Sequence, residues 1–423
     1  MIQNPETHLN KLKRSATLAI NERSDKLANE GKTIYRFGFG QSPFPIPDMV
    51  TKTLQGNASR KNYLPVDGLF ELRQSVAKYH QHTDTVAIEP EQVLIGPGSK
   101  ELIFTLQLVI GGSTIIPTPC WVSYGPQGQI LKSKTEFIQT NYEDNWRLLP
   151  NQLTKTIKGV SGPHLLILNY PGNPDGLTYN QDELEKLANI CRKNNVIILS
   201  DEIYGRLHHK GKHISIARFY PEGTIISSGL SKWCAAGGWR LGHFAFPKEL
   251  KNIQNTMACV ASETYSCVTT PVQYAAVEAY RDQTNAEEYL YHCRRILATI
   301  GNYCYTSLNN ANVKIQPPAG SFYMFPDFKP FKSLLNNRNI HDSDTLCEKL
   351  LQDTGVALLP GSVFGRSKNE LNARLAYVNF DGALALQNSR SLSKEHKLTI
   401  DHLGDNITDV KQGINHIITW LER

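Results

Sequence analysis

The chain has 423 residues, 40% hydrophobic and 20% charged, the profile of an ordinary globular protein large enough to bury a substantial core. Its 45 basic and 39 acidic residues leave a net charge of +6 spread along the chain, which argues against nucleic acid or a membrane surface as partner. No apolar run approaches a membrane span and the first twenty residues lack a secretory core. The eight cysteines form no C-x-x-C pair, so a cytoplasmic protein with reduced thiols and no metal site is expected.

Residues 1–31 carry Leu12, Ala16, Leu18, Ala19 and Leu27 at roughly helical spacing and predict an arm that stops at Gly31. The stretch YRFGFGQSPFPIP, with Gly38, Gly40 and three prolines, reads as an extended crossing segment. Asp67-Gly68 is a turn, and a helix is predicted over 69–79. In VLIGPGSKELIFTLQLVI (93–110) an apolar run, a Gly-Pro-Gly-Ser loop and an apolar helical run follow one another. Strand, glycine loop and helix N-terminus form an anion site, because free backbone N–H groups and the positive dipole end face the ligand. A helix capped by Ser99 accounts for the same residues without a ligand. Walker spacing and dinucleotide glycines are absent, so one phosphate monoester fits better than a pyrophosphate.

The run 113–117 predicts a strand with Trp121 just past its end, where α/β sheets place ligands. The indole can stack there on a planar heterocycle or belong to the core. HLLILN (164–169) is a buried-strand candidate ending in the turn YPGNPDG, which carries Asn173. An amphipathic helix over 182–194 leads to VIILSDEIYGRL, a central parallel strand with Asp201, Glu202 and Tyr204 at its C-terminal end. His208-His209 read as a solvated turn.

Ser227–Pro247, SSGLSKWCAAGGWRLGHFAFP, is patterned as strand, tight loop, strand. Lys232 stands alone in an apolar loop, where burial favours the neutral amine that forms a Schiff base with an aldehyde. The planar fork of Arg240 suits phosphate. A surface lysine and arginine beside a glycine turn is the alternative. Residues 250–310 are helical in pattern, and 355–365 read as strand and turn. Residues 371–380 alternate and present Arg374, which on spacing alone suits a surface ion pair. Residues 383–404 are polar, an inserted loop or short helix, before a closing helix over 407–421.

S-x-x-S-K followed by G-G-W-R-x-G resembles the pyridoxal-phosphate lysine segment of class I/II aminotransferases of fold-type I, the aspartate aminotransferase-like group. The Gly-Pro-Gly-Ser loop, Trp121, N-x-P-x-N-P-x-G (Asn169 to Gly176), D-E-x-Y and the strand arginine follow in family order across nearly the whole chain. The resemblance implies an α/β fold. A mostly parallel central sheet flanked by helices forms a large pyridoxal-phosphate domain (46–305). A smaller α+β domain is built from 306–423 and part of an N-terminal arm (1–45). It implies transfer of an amino group between an L-amino acid, with aspartate or glutamate as candidates, and a 2-oxo acid. It also implies a homodimer with active sites shared across the interface.

By the same resemblance Lys232 is the catalytic lysine. Gly98, Ser99, Lys100 and Arg240, with Tyr63 of the neighbouring subunit, grip the phosphate. Trp121 stacks on the ring, Asp201 pairs with its nitrogen, and Asn173 and Tyr204 contact its phenolic oxygen. Gly40, Trp121, Asn173 and Arg374 line the substrate site, Arg374 as a bidentate carboxylate clamp. Lys100 suits either the phosphate or a distal substrate carboxylate. Many members carry a hydroxyl residue three positions before the lysine. Here that position is Gly229, so Ser228 or Ser231 must substitute or the contact is missing. β-Elimination, decarboxylation and a non-catalytic regulatory role are the alternatives the same motifs allow.

Overall fold

The computed structural model describes residues 7–160, 162–281 and 283–423. Its strands are β1 Tyr35–Arg36, β2 Val93–Gly96, β3 Ser113–Thr118, β4 Lys134–Gln139, β5 His164–Asn169, β6 Ile197–Asp201, β7 Thr224–Gly229, β8 Gly242–Ala245, β9 Tyr323–Met324, β10 Val356–Ala357, β11 Leu359–Pro360 and β12 Ala373–Ala376. Seven of them make the main sheet in the order β2-β8-β7-β6-β5-β3-β4. The run from β7 to β4 is parallel throughout, and β8 lies antiparallel to both β7 and β2.

Side-chain alternation explains why this sheet is buried on both faces. In β5, Leu165 and Ile167 pack into one apolar cluster with Ile103, Leu106 and Phe244, while Leu166 and Leu168 enter another with Leu184 and Leu187. A strand with helices on both sides needs apolar residues at every position, which is why HLLIL is continuous rather than alternating.

A third and larger cluster joins Tyr35 and Phe37 to Ile414, Ile417 and Trp420. β1 pairs in parallel with β10, so the N-terminal crossing segment is structurally part of the C-terminal layer. β9, β12 and β11 form a small antiparallel sheet beside it.

Two expectations change, and the short helix expected within 383–404 is present. The arm is a short 3-10 turn, His8–Lys11, and a separate helix, Ala16–Asn29, and its residues 1–6 lie outside the described residues. His208-His209 are not a solvated turn. His208 is buried, and the His209 ring meets the carbonyls of Pro318 and Ser321, each at 3.2 Å. Two consecutive polar residues after a strand look solvated in sequence; the chain segment 318–321 covers them. The stretch 383–404 contains the helix Gly382–Arg390, then a segment laid on the long helix Gln283–Asn310 through Lys394–Glu288 (2.5 Å) and Arg295 to the His396 carbonyl (3.1 Å).

Candidate active site

The C-terminal ends of β3, β5, β6 and β7 converge, and the register aligns Asn169 with Asp201 and Asp201 with Ser227. Loops leaving those ends line a cavity of about 610 Å³. Ser99, Lys100, Trp121, Asn173, Asp201, Tyr204, Ser231, Lys232, Arg240, Arg374 and Gly40 all face it. Residues far apart in sequence meet here because parallel strands deliver all their C-terminal loops to one edge.

Four cations, Lys100, Lys232, Arg240 and Arg374, line this cavity with one carboxylate, Asp201. Burial first, then the charges of Arg240 and Lys232, pull the Lys100 ammonium below its ordinary value. No carboxylate pairs with Lys100, Lys232 or Arg240 among the described residues; Lys100 Nζ lies 5.1 Å over the Trp121 ring. Like charges held together without counter-ions define a site for an anion.

The glycine loop supplies the remaining donors. Gly98, not Ser99, caps the helix Ser99–Ile110, at φ +85° and with no side-chain cap bond. Its leading N–H groups therefore stay open, and Ser99 is free to turn its hydroxyl to a ligand. A Cβ at Gly98 would overlap the Arg240 guanidinium. Arg240 itself sits at φ +53° and donates to the Gly237 carbonyl at 2.9 Å.

Lys232 is half-buried, and its Nζ donates to the Gly40 carbonyl at 2.7 Å. Asp201 is buried, and burial raises its carboxyl to about 6, opposed by the Tyr124 hydroxyl, which donates to Oδ2 at 2.5 Å. Its Oδ1 is buried without a hydrogen-bond partner among the described residues. Asn173 donates its N–H to Asn169 Oδ1 at 2.8 Å and accepts Arg374 Nη1 at 3.0 Å. Arg374 is 1% exposed, not a surface ion-pair residue. Its Nη2 donates to the Gly38 carbonyl at 2.6 Å, and its Nε is buried without a hydrogen-bond partner among the described residues. An unpaired carboxylate oxygen and an unpaired guanidinium nitrogen in one cavity ask for a ligand with both a donor and an acid group. A protonated pyridine, a phosphate and an amino-acid carboxylate meet those demands, so the residues fit pyridoxal phosphate and its substrate.

One expected hydroxyl is placed elsewhere. Ser228 lies inside β7 opposite His243 and does not line the cavity, whereas Ser231 does. A Cβ at Gly229 would come 2.7 Å from the Leu241 carbonyl, so close pairing of β7 and β8 leaves no room for the family's side chain there. Tyr63 is 87% exposed and outside this chain's cavity.

Two residues escaped the sequence reading. The Tyr323 hydroxyl lies 2.9 Å from that of Tyr204 and 3.4 Å from the Gly40 carbonyl, and any Cβ at Gly40 would overlap it. Tyr124 orients Asp201 and packs edge-on against Trp121 at 5.2 Å. The available signal for Tyr124 was its position three residues after Trp121; for Tyr323 it was a phenol at the start of β9.

The family model described as aminotransferase class I and II matches residues 32–379. The aspartate aminotransferase of Geobacillus stearothermophilus is 33% identical over 382 residues, covering 88% of this chain and 93% of that protein. The asparagine–oxo-acid transaminase of Streptococcus mutans is 31% identical, covering 87% and 93%. Among solved structures, the aspartate aminotransferase from Thermus thermophilus with maleate superposes with a TM-score of 0.82 at 26% identity, over 92% of this chain and 98% of that one.

Proposed function

The chain belongs to the class I and II aminotransferases, and from that premise we propose that it is a transaminase of acidic amino acids with Lys232 as its catalytic residue. It is a pyridoxal-phosphate-dependent aminotransferase of fold-type I. The acidic substrate is the added step, an L-aspartate or L-glutamate donor passing its amino group to a 2-oxo acid. The observation that carries it is Lys100, a cation that lines the same cavity as Arg240 and has no acidic partner among the described residues. Relatives named aspartate aminotransferase support the same reading.

When bound, pyridoxal phosphate supplies the electron sink that stabilises charge at the substrate Cα. Arg240, Ser99, Ser231 and the open amides after Gly98 hold the phosphate. Asp201 Oδ1 would take the ring nitrogen, and the positive charge of a protonated ring would favour its ionised carboxylate against the burial that raises it. Trp121 covers the ring face, and Asn173 and Tyr204 hold the phenolic oxygen. Arg374 takes the α-carboxylate with Nε and its remaining Nη hydrogens, fixing which Cα bond faces the ring. Lys232 Nζ moves the proton from Cα, and the Gly40 carbonyl at 2.7 Å is the acceptor that holds its ammonium form in the cavity.

The assembly we infer is a homodimer in which Tyr63 completes the neighbouring phosphate site, a reading its exposure supports. The division into 46–305 and a second unit of 1–45 with 306–423 is supported by the β1–β10 pairing. Eight cysteines without a disulfide support a reducing compartment, hence the cytoplasm; no helix among the described residues is long and apolar enough to cross a membrane.

The deciding experiment is an absorbance spectrum of the holoenzyme before and after L-glutamate or L-aspartate, with L-alanine as comparison. Conversion of the visible band to the near-ultraviolet by the acidic donors at far lower concentration is expected. Conversion by alanine alone would overturn the substrate assignment.

A further inference from the structure

Four side chains that the transamination does not use form a buried line behind the cofactor loops. Asp84 Oδ2 lies 2.7 Å from His80 Nδ1, His80 Nε2 lies 2.9 Å from His243 Nε2, and the Tyr280 hydroxyl lies 3.3 Å from His243 Nδ1. All four residues are buried. Their chemistry fixes the direction of donation. An ionised carboxylate only accepts, so His80 Nδ1 carries a hydrogen. Neutral His80 then accepts at Nε2, His243 donates from Nε2, and His243 Nδ1 accepts from Tyr280. One proton lies between the two rings. A second would set N–H against N–H and break the line.

The position of His243 gives the line its consequence. β8 lies between β2 and β7, and His243 pairs with Ile95 on one side and Ser228 on the other. β2 runs into the phosphate turn at Gly98, and β7 runs into the loop that carries Lys232. At the far end Tyr280 packs edge-on against Trp233, the residue after Lys232, at 5.7 Å. Arg206 closes the stack, 4.1 Å over Trp233 and 5.0 Å over Tyr79.

We propose that His243 is a positioning residue for the reaction: through Tyr280, His80 and Asp84 it holds the phosphate turn and the lysine loop at a fixed spacing, and only while a single proton lies between the two rings. The proposal rests on Lys232 being the cofactor lysine. The groups facing the pair are Asp84, Tyr280, Tyr79 against His80 at 5.1 Å, Arg218 donating to the Asp84 carbonyl at 2.6 Å, and the Glu202–His213 ion pair at 2.7 Å, whose histidine feels the Asp84 charge. Burial first and the His80 ring second hold His243 well below its ordinary value. A histidine buried neutral favours the folded state above its unfolded pKa, about 6.5, and that contribution is lost as pH falls towards the depressed folded value. Acidification below about 6.5 should therefore loosen the loops and release the cofactor.

The test compares His243→Leu and His243→Gln with wild-type holoenzyme, reading pyridoxal phosphate affinity by fluorescence and the pH of half-release from the visible band. Glutamine keeps an N–H donor for His80 but takes up no proton; leucine keeps neither. Leucine should weaken cofactor binding about 10-fold or more, and glutamine by less than about 3-fold. Half-release in the glutamine variant should move to lower pH. Equal weakening in both variants, or half-release at the wild-type pH in the glutamine variant, overturns the proposal. If the leucine variant does not fold, the shift in acid release decides alone. A wild-type band that survives Lys232→Ala would instead overturn the lysine assignment, and this proposal with it.

Discussion

Lys100 shows how much a single residue gains meaning from its surroundings. In sequence it is the residue after Ser99 at a helix start, equally suited to a phosphate or a substrate. In the structure it shares one cavity with Arg240 and Lys232, and burial first, then their charges, lower its ammonium pKa. An acidic substrate side chain would relieve that repulsion, whereas a neutral one would not. Lys100→Ala should therefore cut kcat/KM for aspartate and glutamate by about 10- to 100-fold, the worth of a charge-assisted hydrogen bond, with little change for alanine. Steady-state kinetics on both donor classes checks this; equal losses would assign Lys100 to the phosphate instead. That Lys232, Asn173 and Asp201 line one cavity was expected from the motifs that carry the family resemblance; Arg374 was expected there from the resemblance and not from its spacing. Tyr124 and Tyr323 were not, because each acts through a partner more than seventy residues away: Asp201 for one, Tyr204 and Gly40 for the other.

At the scale of elements, the strand–loop–helix around Gly98 is the clearest case of backbone chemistry. Its φ of +85° is one that L side chains rarely adopt, and the Arg240 guanidinium fills the space beside it. Gly98→Ala should weaken pyridoxal phosphate binding by about 10-fold or more, since its φ of +85° and ψ of 153° fall in a region essentially restricted to glycine, costing another residue roughly 1–3 kcal/mol before the arginine is displaced. Isothermal titration of the apoprotein measures it, and wild-type affinity would show that this turn does not grip the phosphate. Elements of this kind were readable: HLLILN, the 224–229 run and the helix 181–193 all stand near their predicted places. The apolar period that identifies them is the same force that buries them. The errors fell at chain segments whose burial depends on a distant cover, such as His208-His209 beneath residues 318–321.

For the whole molecule, the proposed sharing of the active site between two subunits makes a prediction that no single-chain property would mimic. Lys232→Ala and Tyr63→Ala homodimers should each be nearly inactive. Unfolded together and refolded at equal amounts, half the dimers are mixed, each with one intact site, so roughly a quarter of wild-type activity should return. No recovery would mean that Tyr63 serves no neighbouring site. The sequence by itself determined the fold class and the cofactor, through a family resemblance carried by motifs whose order along the chain is legible without the fold. Only the tertiary structure decided that Ser231 rather than Ser228 faces the cavity, that Arg374 is buried against Asn173, and that two histidines 163 residues apart share a hydrogen bond. Those are outcomes of strand pairing and packing between distant segments, and a side chain's partner across a sheet is set by register, which the local pattern of residues does not encode.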